Sequence, residues 1–244
     1  MTKDLFSDHA KEYAAFRPTY PSELVDFVLR QVESRQVAWD CGTGNGQVAR
    51  ALSPFFKKIL ATDISSSQLQ SAFQADNIFY EQGPAEETVF IENTFDLITV
   101  GQAIHWFDTK AFFKECSRVG KPGAIVACFG YSPIRFNEEF NKTLDDFYRN
   151  VVYDYWETER RMVEDQYKSL DFPFKAIATP DFKIELDWSL KDVEGYMNTW
   201  SAVRKYIKAN GVNPVDQFMK LVTPLWTMPA HSVYFPVFSK VGRI

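Results

Sequence analysis

Cysteine, histidine, surplus positive charge and long apolar runs are all scarce in this chain of 244 residues, and each scarcity removes a class of function. Its 27 lysines and arginines stand against 32 aspartates and glutamates, a net charge of −5, which gives no reason to expect a nucleic-acid partner, since that would need a basic stripe. Three cysteines, Cys41, Cys116 and Cys128, show neither pairing-like nor metal-like spacing. That argues for free thiols in a reducing compartment and against a metal site. Met1 to Asp8 holds no apolar run of signal-peptide length, and nowhere do 18 apolar residues follow one another, so no membrane span is expected. These exclusions leave the expectation of a soluble cytoplasmic protein, monomeric or weakly dimeric, without nucleic-acid or membrane partners. Three histidines also leave few candidate bases.

What is abundant is aromatic: 22 Phe, 11 Tyr and 6 Trp, enough for a Phe-rich core and a pocket with aromatic walls. From about residue 21 to 131, strand and helix patterns alternate. Leu24, Phe27, Val28 and Val32 recur at helical spacing, with Ser22 as the expected N-cap. Val37–Cys41, Lys58–Asp63, Asn77–Tyr80, Phe95–Val100 and Ala124–Phe129 read as strands. Helices are expected around Val48–Leu52, after Ser65–Ser67, and around Phe112–Cys116. Strands this apolar, separated by helices, predict a parallel sheet covered on both faces, with ligands at the carboxyl ends of its strands. From about 137 to 176 the periodicity is helical only, as in Phe140, Leu144, Phe147 and Val151, and predicts an inserted helical cap. A half-buried strand at Phe182–Leu186, a helix from Val193 to Asn210 ending at Gly211, and a last strand at Tyr234–Phe238 complete the reading. The chain is therefore expected to form one α/β domain over 1–244. Its core spans about 22–131, and further strands and helices fill about 180–244.

The sharpest motif is the turn after the first strand, Asp40-Cys41-Gly42-Thr43-Gly44-Asn45-Gly46. A dinucleotide fold expects G-x-G-x-x-G, which would need glycine at position 47, where Gln47 stands. The spacing here is G-x-G-x-G, and Asp40 precedes its first glycine by two residues. A carboxylate there is a poor neighbour for a pyrophosphate and suits a cationic ligand, such as one bearing an amino-acid ammonium. The glycines let the backbone approach that ligand closely. A second acid, Asp63, ends the second strand 21 residues after Gly42, near the spacing used to catch a ribose.

This arrangement closely resembles the class I S-adenosylmethionine-dependent methyltransferases. The resemblance continues in order through Gly83-Pro84-Ala85-Glu86, Phe95-Asp96-Leu97-Ile98 and Arg118-Val119-Gly120-Lys121-Pro122-Gly123-Ala124, where Gly120 departs from the family's leucine. It implies a Rossmann-like sheet of seven strands, mostly parallel with the last antiparallel, and S-adenosylmethionine as cofactor. It also implies that the glycine turn, with Asp40, Gly42, Thr43, Gly44, Asn45 and Gly46, cradles the methionine part. Asp63 and Ile64 then fall at the ribose, and Ala85 and Glu86 beside adenine. Gln102, Tyr13, Arg17, Tyr20 and Trp106 join that set. No metal is implied.

Further segments, Phe6–Pro21, Gln102–Asp108 and Asn198–Tyr206, are similar to the trans-aconitate methyltransferase-like enzymes, a subgroup with a cantharidin-detoxifying member. That resemblance implies a small di- or tricarboxylate methylated on a carboxylate oxygen. Such an acceptor is already ionised at neutral pH and needs no general base. It needs cationic positioning, for which Arg17 and Arg204 are the candidates. His105, just after the fourth strand, could instead serve as base toward a hydroxyl, amine or carbon acceptor. A cofactor-binding protein without catalysis is a third reading. Trp156 and Trp200 are equally compatible with core and pocket.

Overall fold

A computed structural model describes residues 16–244. Helix α1 (Ser22–Gln31) leads into strand β1 (Val37–Cys41), followed by α2 (Gln47–Leu52), β2 (Lys58–Asp63), α3 (Ser66–Gln70), β3 (Ile78–Gln82) and β4 (Phe95–Gly101). A 3₁₀ turn over Ile104–Trp106 precedes α4 (Thr109–Val119) and β5 (Gly120–Tyr131). The remainder comprises α5 (Glu138–Asn150), α6 (Arg161–Glu164), β6 (Lys175–Ile177), β7 (Phe182–Trp188), α7 (Leu190–Asn198), α8 (Ser201–Asn210), α9 (Val215–Val222) and β8 (His231–Arg243).

The first five strands pair in parallel in the order β3-β2-β1-β4-β5. Each β1 residue from Ala38 to Cys41 is buried, as are the first six residues of β4, because helices cover both faces. The chain winds outward from β1 to β3 and then crosses back to β4 on the other side of β1. This reversal opens a crevice at the carboxyl ends of β1 and β4, and Asp40 lies level with Thr99 there. Asp96, at the opposite end of β4, accepts from the Gln36 and Val37 amides at 2.9 Å each and from Lys121 Nζ at 2.6 Å. Those donors hold its carboxyl below the usual range even though burial opposes them.

Beyond β5 the sheet departs from expectation in count but not in hand. β8 runs antiparallel to β5, and its outer edge takes two short strands, β6 and β7, making eight strands among the described residues in place of seven. The edge is split between Ile177 and Phe182, where Pro180 has no amide to extend a ladder.

Local signals account for most helix starts. Ser65, Asp108 and Asn137 each accept a backbone amide as N-cap, and Ser189 with Asp192 forms a capping box. Ser22 is not the cap of α1: Pro21 holds that position, and the Ser22 hydroxyl turns to Glu23. The helix expected over 193–210 is two helices, interrupted where the Thr199 hydroxyl donates to Tyr196 O and Trp200 turns extended. Gly211 does end the second, in the left-handed region. The cap is helical in α5 but is mostly short turns from 151 to 174. Phe140, Phe147 and Phe218 pack ring to ring with Trp200 beneath the cap, which settles Trp200 as core, 1% exposed. Each ring so buried contributes roughly 2–3 kcal/mol. Among the described residues no helix is long and apolar enough to cross a membrane.

Candidate functional site

The crevice at the switch point is a cavity, and the glycine turn forms its floor. All three glycines of the turn have positive φ, +65° at Gly42, +54° at Gly44 and +81° at Gly46, a region L side chains rarely enter. A Cβ on Gly42 would fall 2.6 Å from that of Ala103, so the absence of a side chain also lets the β4 loop close over the turn. Asp40 builds this turn from within. One carboxylate oxygen accepts from Thr43 Oγ1 at 2.5 Å and from the Ala49 amide at 3.1 Å; the other accepts from Thr99 Oγ1 at 2.9 Å. Burial outweighs these donors and raises its pKa to about 6. Asp63 spans the turn from the other side, accepting from the Gly44 amide at 2.8 Å and the Ser65 amide at 2.9 Å.

The cavity gathers nearly all the expected cofactor residues: Arg17, Tyr20, Asp40, Gly42, Thr43, Gly44, Asn45, Asp63, Ile64, Ala85, Glu86, Gln102 and Trp106. Gly46 stands outside the lining, its α-carbon turned toward Tyr80. Tyr13 lies outside the described residues. The walls also contain residues that no sequence signal marked, among them Gln68 and Tyr131. Gln102 adopts φ +55° and reaches across to β5, where its Oε1 accepts from the Tyr131 amide at 2.8 Å. Glu86 accepts from the Asp108 amide at 3.0 Å and so ties the loop after β3 to the N-cap of α4. Arg118, quoted above for its motif, is a fastener. It pairs with Glu115 at 2.6 Å and donates to the carbonyls of Phe90 and Thr88, pinning the loop that follows Glu86.

The three acceptor-side candidates separate. Arg17 lines the cavity, donates to the Tyr131 hydroxyl at 3.3 Å, and places its guanidinium 5.5 Å from the Tyr196 ring centroid. Arg204 is not in the lining; its Nη2 donates to Thr199 O at 2.7 Å. His105 is not in the lining either. It is buried against Trp106, and burial together with the Arg160 charge lowers its pKa to about 3. All three cysteines are buried free thiols, and burial raises each pKa. Among the described residues no group of His, Cys, Asp and Glu has the geometry to hold a metal.

Residues 39–128, which carry every β1-to-β5 motif of this site, match the family described as "Methyltransferase domain". A protein of Dictyostelium discoideum assigned as a methyltransferase is 31% identical over 210 residues, covering 84% of this chain and 80% of its own. A solved structure from Anaeromyxobacter dehalogenans, assigned as a type II methyltransferase, superposes with a TM-score of 0.87 at 33% identity, covering 93% of this chain and 98% of that one. A Saccharomyces cerevisiae protein named for S-adenosylmethionine-dependent methyl transfer is 22% identical over 250 residues, covering 88% of this chain and 85% of its own.

Proposed function

We propose that this chain, which belongs to the class I S-adenosylmethionine-dependent methyltransferases, methylates a carboxylate oxygen of a small acid of the trans-aconitate kind. The cavity fits the cofactor on the chemistry of its walls. A glycine floor admits close backbone approach, and the acids Asp40 and Asp63 suit an ammonium and a ribose diol while repelling a pyrophosphate. When bound, S-adenosylmethionine supplies an electrophilic methyl group on a positively charged sulfur. Asp40, Thr43 and Asn45 would then face the amino-acid end, Asp63 and Ile64 the ribose, and Ala85 and Glu86 the adenine. Tyr20 and Trp106 offer π faces to the sulfonium, worth about 0.5–2 kcal/mol each.

The observation that carries the acceptor reading is the composition of the cavity wall. It includes Arg17 and, among the described residues, no histidine or lysine. A hydroxyl, amine or carbon acceptor has to lose a proton, and the described residues of this wall include no histidine or lysine to take it, while the raised Asp40 carboxyl is occupied by three donors. His105 remains neutral but is weakly basic and sits behind the wall. A carboxylate needs no base; it needs a cation to hold it in line with the methyl group, and the guanidinium fork of Arg17 supplies one. Fixing that alignment can account for about 7–11 kcal/mol of barrier. Arg204 acts from behind, through the Thr199 carbonyl that Arg17 also reaches.

The test is transfer of a radiolabelled methyl group from S-adenosylmethionine to a panel of acids, phenols and amines. Base-labile methyl esters of di- or tricarboxylic acids are expected. Label appearing only on phenols or amines overturns the acceptor assignment.

A further inference from the structure

We infer that a second cleft, under the cap, is an anion subsite built on Arg160 that holds the non-reacting carboxylate of the acceptor; this rests on the carboxylate reading above. The cleft is bounded by Ser132 and Pro133 after β5, by Arg135, and by Tyr148, Arg149, Arg160 and Glu164 of the cap. Its two acids are already engaged. Asp145 pairs with Arg135 at 2.7 Å, and Glu164 accepts from the Tyr148 hydroxyl at 2.5 Å. Arg160 is held differently. Its guanidinium carbon lies 4.0 Å from the Trp156 ring centroid, and its Nε donates to the Tyr148 hydroxyl at 3.0 Å. No carboxylate among the described residues reaches it within ion-pair distance. Stacking on one face with Nε fixed leaves the two terminal nitrogens as a preorganised fork in the wall of the cleft, the geometry that matches a carboxylate.

This cleft and the cofactor cavity meet at a wall formed by consecutive residues of the chain. Tyr131 lines one and Ser132 the other. Trp106 lines the cofactor cavity, while its neighbour His105 lies within reach of the Arg160 charge, and the 104–106 turn packs on residues 158–160. Two buried polar atoms beside this wall, His105 Nδ1 and the Tyr167 hydroxyl, have no hydrogen-bond partner among the described residues. Gln166 and Tyr167 are also both held at φ +60°, a conformation that persists only where the surrounding structure over-determines it. A short diacid with one carboxylate at Arg160 would direct the other past the Tyr131–Ser132 boundary toward the Arg17 side of the cofactor cavity.

Glutarate, with butyrate as the single-acid control, is titrated calorimetrically into the full chain saturated with S-adenosylhomocysteine. Glutarate is expected to bind more tightly, and Arg160→Gln to weaken it about 10- to 100-fold while leaving butyrate and S-adenosylhomocysteine unchanged. Lys142→Gln, exposed on α5 and outside the cleft lining, should change glutarate affinity less than about threefold. If Arg160→Gln fails to fold, Arg160→Lys decides: it keeps the charge and loses the fork, so weakened binding supports the subsite and unchanged binding overturns it. Equal glutarate affinity in the wild type and Arg160→Gln, or no glutarate binding at all, also overturns it. Methyl transfer to glutarate that is indifferent to Arg160→Gln removes the subsite and leaves the acceptor assignment standing. Arg160-dependent binding with no transfer to any acid does the reverse.

Discussion

Arg17 and Arg204 donate to the same carbonyl oxygen, that of Thr199, at 3.5 and 2.7 Å. Only Arg17 lines the cavity, so the two guanidiniums share an anchor but not a task. Arg17→Gln is expected to raise KM for the acid about 10- to 100-fold, the worth of one charge-assisted contact, with a much smaller change in S-adenosylhomocysteine affinity. Arg204→Gln removes a hydrogen bond worth about 1 kcal/mol, which in a chain of this size lowers Tm by roughly 2–4 °C. Steady-state kinetics beside thermal melts separate them. A KM effect from Arg204→Gln as large as that from Arg17→Gln would place Arg204 on the substrate.

His105 and Asp40 give opposite pH signatures. The folded pKa of His105 is about 3 against 6.5 for the free side chain, so between those values the unfolded chain binds the extra proton and stability rises with pH. Asp40 has a folded pKa of about 6 against 3.8, so there the folded chain holds the extra proton and stability falls as pH rises. Over about pH 4–6 the two slopes, each near 1.4 kcal/mol per pH unit, nearly cancel. Denaturant midpoints across that window should expose each slope separately: rising with pH in Asp40→Asn, falling in His105→Gln. Profiles parallel to the wild type in both variants would contradict the two assignments. If His105 is not the base, His105→Gln also retains kcat within about tenfold, short of the 10²–10⁴ loss expected of a base.

The same Asp40 carboxyl predicts proton release on cofactor binding. An ammonium brought beside it favours the charged form and pulls its pKa below about 6. Affinity for S-adenosylhomocysteine should therefore rise as pH increases from 5 to 7. Calorimetry at pH 6 in two buffers of different ionisation enthalpy should report a fraction of a proton released, and Asp40→Asn should release none. Equal apparent enthalpies in the two buffers for the wild type would separate Asp40 from the ammonium.

The glycine turn and the strands that flank it are legible in the sequence because local rules write them. Three positive-φ positions require glycine, and a parallel strand buried on both faces must be apolar up to the acid at its end. Those rules located β1, β2 and the turn between them. They did not foresee Tyr131 or Gln68 in the lining, since neither position carries a local signature and each is brought there by sheet register or helix packing. His105 follows β4 and so lies near the site along the chain, but its side chain is buried outside the lining, a placement that chain position alone does not give. The cap was legible as helix only through α5. Beyond it, Arg160 stacks on Trp156 and the chain turns at Gln166, contacts set by tertiary packing and invisible to periodicity.

Gly46 separates two costs that a glycine substitution usually mixes. At φ +81° any L side chain is strained, and an added Cβ would also stand 2.3 Å from the Tyr80 hydroxyl, which donates to Phe73 O. Gly211, at φ +72° with nothing within 4 Å of such a Cβ, carries the conformational cost alone. Gly211→Ala should therefore destabilise by about 1–2 kcal/mol, the ordinary left-handed penalty. Gly46→Ala should cost more, because the Tyr80 side chain has to give up its hydrogen bond or shift. Adding Tyr80→Phe removes the contacting oxygen and should bring Gly46→Ala down toward the Gly211→Ala value, measured against Tyr80→Phe alone. Cofactor binding supplies a second readout. Gly46 lies outside the cavity lining, so Gly46→Ala should weaken S-adenosylhomocysteine less than Gly42→Ala, which forces Ala103 away from the turn. Equal losses at the two glycines would mean that the whole turn, rather than its cavity-facing half, sets the affinity.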